Sequence, residues 1–113
     1  MFKKVIGSAL ALSLIAGAGF ATSADAASYS YKNSKGFTSS WSATNSGTNW
    51  LIKYGYNTDW INEDYTHTTH SKYTNYAIVN NANGKYSTKA SPGSWAKTEV
   101  THAGTNITYT IEY

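Results

Sequence analysis

At 113 residues with a formal charge of +3, the chain has room for one small domain, and its composition closes off several functions. All nine basic residues are Lys, so the bidentate guanidinium fork that dominates base and phosphate reading is missing, and nucleic acid is not expected as a partner. There is no cysteine: a domain of this size buries only roughly 60 % of its unfolded surface, and here it must be held by side-chain packing alone.

The chain opens with Lys3-Lys4, an apolar run from Val5 to Phe20, and Ala24-Asp25-Ala26, which offers small residues at the two positions a signal peptidase reads. The run is interrupted by Gly7, Gly17 and Gly19 and is short for a membrane span, so residues 1–26 are read as a secretory signal peptide cut after Ala26, with Gly19-Phe20-Ala21 as the alternative site. An extracellular, secreted protein is expected. Losing Lys3, Lys4 and Asp25 takes the bases from 9 to 7 and the acids from 6 to 5, so the mature charge is small.

Residues 27–48 form a polar stretch of Ser, Thr, Asn, Gly and Lys with scattered rings (Tyr29, Tyr31, Phe37, Trp41), read as a partly ordered arm: an edge hairpin or a flexible segment. Residues 49–113 form an antiparallel β domain. Strands are expected over Asn49 to Tyr56, Ser71 to Asn80, Lys85 to Ala90, Ser94 to Thr101 and Asn106 to Tyr113, each rich in aromatic or β-branched residues. Asn83-Gly84 predicts a tight hairpin between the second and third of these, and Ser91-Pro92-Gly93 a turn into the fourth. In the last, Ile107, Tyr109, Ile111 and Tyr113 alternate with Thr108, Thr110 and Glu112, which is one buried face of a strand. The fold class is all-β, a small antiparallel β-sandwich or meander.

The core of that fold is aromatic. Beyond the leader only eight aliphatic residues exceed Ala in size (Leu51, Ile52, Ile61, Ile78, Val79, Val100, Ile107, Ile111), whereas all 10 Tyr and all 4 Trp lie there. Most of Trp50, Trp60 and Trp95 are expected inside, with Trp95 beside the Ser91-Pro92-Gly93 turn.

The densest titratable cluster runs from Glu63 and Asp64 to His67 and His70, and its ordinary reading is a surface loop. On an extended strand positions i and i+3 face opposite ways, so the two His form no metal site by spacing alone; no metal or cofactor is expected. His102, alone near a turn, is read as solvated. Asp59, Glu63, Asp64, Glu99 and Glu112 show no pattern that selects an acid–base pair, and no nucleophile motif is present, so an enzyme is not expected.

Binding is the better class. Rings on a pleated surface can stack on sugars, and Lys72, Lys85, Lys89 and Lys97 fall on or beside expected strands, where they can meet phosphate or serve as edge-protecting charges.

The block His70-Ser71-Lys72-Tyr73-Thr74-Asn75-Tyr76-Ala77-Ile78-Val79, the Asn/Gly hairpin after it, and Gly93-Ser94-Trp95-Ala96-Lys97 resemble the C-terminal half of the lactococcin-972 family of bacteriocins. Upstream, Gly47-Thr48-Asn49-Trp50 and Tyr54-Gly55 resemble that family's opening, with Asn49 as an extra residue, so the resemblance covers roughly Gly47 to Tyr113. Tyr73 and Asn75 depart from the family's usual Lys and second His, and the 27–48 arm is longer than the family pattern.

The resemblance implies a secreted antibacterial β-sandwich that binds the cell-wall precursor lipid II and blocks septum formation without making pores. It also implies a homodimer, a dedicated immunity membrane protein and an exporter. The candidate ligand contacts are Lys72, Lys97, His70 and Trp50. The rival readings are a non-toxic cell-wall or glycan-binding module and a secreted hydrolase.

Overall fold

A computed structural model describes residues 27–113; the leader and its cleavage site after Ala26 lie outside the described residues. Eight strands follow in chain order: β1 (Ser28–Lys32), β2 (Trp41–Gly47), β3 (Trp50–Asn57), β4 (Glu63–His70), β5 (Asn75–Asn81), β6 (Gly84–Ala90), β7 (Trp95–Thr101) and β8 (Thr108–Glu112). They form two four-stranded antiparallel sheets packed as a sandwich, the first in the order β1-β8-β5-β6 and the second in the order β2-β3-β4-β7.

The sandwich is not a simple meander. Only β2-β3-β4 and β5-β6 are neighbours in both chain and sheet, while the chain changes sheet after β1, β4, β6 and β7. The 27–48 stretch supplies β1 and β2, which belong to different sheets and so do not pair as a hairpin. β1 closes the first sheet against β8 with Tyr29 opposite Ile111 and Tyr31 opposite Tyr109, and β2 edges the second with Trp41 opposite Tyr56.

The expected β5–β6 hairpin forms. Asn81 pairs with Gly84 across Ala82-Asn83, Asn81 Oδ1 accepts the Asn83 N–H at 2.8 Å, and Gly84 takes a φ of 129° that a side chain would resist. Gly93 at φ 84° likewise completes the turn after Pro92. β5 starts at Asn75, later than its Ser71 expectation, because residues 71–74 turn around His70.

Between the sheets the filling has two characters. Trp41, Trp50, Tyr54, Tyr56 and Tyr109 pack with Ile52, Val79, Ile107 and Ile111, and Tyr54 stacks on Tyr109 at 5.0 Å with the Trp41 edge against both. This is the aromatic core the composition implied, and ring pairs of this kind add about 0.5–1.5 kcal/mol beyond the area they bury.

Between β4–β7 and β5–β6 the filling is threonine. Thr66 Oγ1 donates to the Ile78 carbonyl at 2.9 Å, Thr98 Oγ1 to the Ala77 carbonyl at 2.7 Å, and Thr68 Oγ1 to Asn75 Oδ1. A hydroxyl that reaches the backbone of the facing sheet brings the layers closer than the ~10 Å of a sandwich filled with large side chains.

That arrangement corrects the loop reading of residues 63–70. They are β4, a central strand whose inward positions Asp64, Thr66, Thr68 and His70 are all buried. No apolar alternation marks the strand because its buried side chains are polar and each finds a partner.

Candidate functional site

Two of the four candidate contacts are interior. Trp50 on β3 and His70 on β4 are register partners, both buried, and Trp50 stacks on Tyr29 at 4.8 Å. The His70 ring, 1 % exposed, lies against Tyr113 and Tyr73 with centroids at 4.3 and 4.9 Å. Its Nδ1 accepts the backbone N–H groups of Lys72 and Tyr73 at 3.0 and 3.1 Å, so neutral His70 ties down the turn after β4. Burial first, and then the Lys72 charge, hold its pKa below 6.5. Lys72 is exposed on that turn, whereas Lys97 sits on β7 opposite His67.

The open face is on the other side of the second sheet. Side chains alternate along a strand, and with Ile52, Tyr54, Thr66, Thr68, Ala96 and Thr98 turned inward, their neighbours face out. Strand register arranges these neighbours in rows: Ser46, Leu51, Thr69, Trp95; then Thr44, Lys53, His67, Lys97; then Ser42, Gly55, Tyr65, Glu99. Lys53 and Lys97 thus flank His67 two strand spacings apart, about 10 Å.

Trp95 is 46 % exposed in the row beside them, contrary to its expected place in the core. The reason is parity: Ala96 and Thr98 are small enough for the closely spaced layers, so β7 presents them inward and Trp95 outward. Trp60, at 90 %, is also outside, in the β3–β4 connection; of the three Trp expected inside, Trp50 alone is buried.

Local contacts stiffen this face. His67 Nε2 meets Glu99 Oε2 at 2.8 Å, and the Tyr65 ring tilts against His67 at 5.1 Å. Tyr65 lies over Gly55, where a Cβ would come within 2.9 Å of the Tyr65 hydroxyl and 2.2 Å of the Trp41 carbonyl oxygen, so only Gly fits. Burial raises the Tyr65 pKa, opposed by a hydrogen bond from Ser42 and helped by Glu99. Near the Trp95 row an open groove of about 440 Å³ is lined by Gly47, Asn49, Trp50, Leu51, Thr69 and Ser71, with Gly93 at its rim.

At the other end of β4 the expected solvated His102 is half-buried. Its Nδ1 lies 2.8 Å from Oδ1 of the fully buried Asp64, whose Oδ2 accepts the Asn81 amide at 3.0 Å. Lys85 and Lys89, the remaining lysines considered as phosphate partners, are on β6, an edge strand of the first sheet among the described residues.

Sequence reading missed Lys53 and Tyr65, although Ile52-Lys53-Tyr54 carries the alternation that turns Lys53 outward. No signal in the sequence joined Asp64 to His102, because the pair is made by strands brought together only in the sheet. Comparison with family models, curated proteins and solved structures finds no match for this chain.

Proposed function

We propose that this is a secreted antibacterial protein of the lactococcin-972 type that binds lipid II and blocks septum formation in related Gram-positive bacteria. The observation that supports the reading is the outer face of the second sheet, where Lys53, His67 and Lys97 form a row of bases beside the exposed Trp95. Lipid II joins a pyrophosphate to sugars, and this face offers matching chemistry. Two flexible ammonium groups about 10 Å apart at their backbones can converge on one pyrophosphate, while an indole ring on a flat sheet stacks on a sugar. Among the described residues no helix is long and apolar enough to cross a membrane. The action proposed is occupation of the precursor.

The test is antagonism. Excess purified lipid II rescues sensitive cells, and septa fail while a membrane-potential dye stays silent; early depolarisation, or inhibition that lipid II does not relieve, overturns the reading. The exposed Trp95 and the adjacent groove also favour a glycan-binding module without toxicity, which would bind isolated wall yet leave close relatives growing.

A further inference from the structure

A second groove, of about 590 Å³, opens at the end of the sandwich remote from Trp50 and His70, between the β1–β2 connection and the loop after β7. Asp64 and His70 mark the two ends and are six residues apart on β4, roughly 20 Å. The lining comprises Asn33, Ser34, Lys35, Phe37, Thr38 and His102, together with Gly36 and Thr105, and holds no carboxylate.

We propose that this groove binds a small oxyanion, a phosphate or a carboxylate, through the Nε2–H of the His102 imidazolium and the Lys35 ammonium. His102 is built for one orientation. Its ring is held between Phe37, at 4.3 Å, and the edge of Tyr56, at 4.9 Å. Asp64, 0 % exposed and itself fixed by Asn81, takes the Nδ1–H, so Nε2 is the nitrogen left for the groove that His102 lines. With Nδ1–H given to the carboxylate, Nε2 can donate to an anion only in the imidazolium, the form that a carboxylate behind a histidine ring favours.

The surroundings select negative charge. Lys35 makes no ion pair among the described residues, and the backbone N–H groups of Ser34 to Thr38 donate to no backbone carbonyl there. Ser34, Thr38 and Thr105 add hydroxyls around the opening. With an ammonium, hydroxyls and a histidine ring in the lining and no acid in it, an oxyanion is the ligand whose charge and hydrogen-bonding capacity match. The site shares no residue with the outer face of the second sheet and stands or falls independently of it.

The experiment titrates the purified protein with inorganic phosphate and, separately, acetate at constant ionic strength, following His102, His67 and His70 ring resonances by NMR. A saturable shift of His102 with millimolar dissociation, unchanged in Lys53→Ala with Lys97→Ala, is expected for at least one probe, and the probe that saturates at lower concentration distinguishes phosphate from carboxylate. Lys35→Ala should weaken binding roughly five-fold, the most an exposed charge contact usually contributes, with the remaining spectrum unchanged. His102→Gln, followed through the backbone amide signals of Ser34 to Thr38, should lose the response to the anion while Asn81 and Tyr56 signals keep their folded dispersion. Absence of a saturable His102 shift with both probes, or unaltered binding in Lys35→Ala, would overturn the proposal and leave His102 as a purely structural tie.

Discussion

His70 Nδ1 accepts the Lys72 backbone N–H at 3.0 Å, which commits the ring to its neutral form with the proton on Nε2. Protonating Nδ1 would set a donor against two donors, since the Tyr73 N–H points at the same atom.

Acid should therefore loosen this end of the sandwich. Because the folded pKa lies below 6.5, the unfolded chain binds more protons between the folded value and 6.5. The contribution is present above 6.5, declines as pH falls towards the folded value, and is lost below it. Melting curves across this range should show a steeper acid-side loss for the wild type than for His70→Gln, although the variant is less stable throughout. Parallel curves would remove His70 from the pH response.

Trp50 and Trp95 should behave oppositely. Trp50→Ala empties a buried site and should cost about 3–5 kcal/mol, enough to abolish a cooperative melt in a domain this small. Trp95→Ala removes a half-exposed ring and should shift stability by about 1 kcal/mol or less while wall binding falls. Thermal melting combined with a pull-down on isolated cell wall checks both.

Removing Lys53 and Lys97 together should weaken precursor binding without unfolding the chain, since both side chains are exposed on the outer face. A charge-assisted hydrogen bond contributes about 1.5–3 kcal/mol, so Lys53→Ala with Lys97→Ala should lose at least about ten-fold in affinity for lipid II vesicles. Lys85→Ala with Lys89→Ala, on the first sheet, is the matched control. Equal losses in both pairs would mean general charge attraction and no site.

Tyr109 should be improvable. Its ring is fully buried and its hydroxyl has no hydrogen-bond partner among the described residues, while burial and the Asp64 charge push its pKa far upward. Tyr109→Phe keeps the stack on Tyr54 and removes an unpaired polar group, so stability should rise by about 1 kcal/mol, roughly 4–8 °C in Tm for a domain of this size. A lower Tm would mean that the hydroxyl has a partner in solution.

How much of this was legible beforehand depended on whether burial was apolar. The all-β class, β3, β5 to β8, the Asn83-Gly84 and Pro92-Gly93 turns and the aromatic core follow from alternation, ring content and backbone chemistry, all local properties of the chain. β4 escaped because its inward face is Asp64, Thr66, Thr68 and His70, residues that local reading assigns to solvent and only tertiary hydrogen bonds make buriable.

Parity was the other limit. Sequence alternation marks two faces of β7 without saying which is inside; the narrow, threonine-bridged gap decided it by admitting Ala96 and Thr98 and expelling Trp95. The Lys53–His67–Lys97 row and the Asp64–His102 pair likewise exist only because antiparallel register places residues far apart in the chain side by side. Composition determined what the core is made of, and the spacing between the sheets decided which side chains entered it.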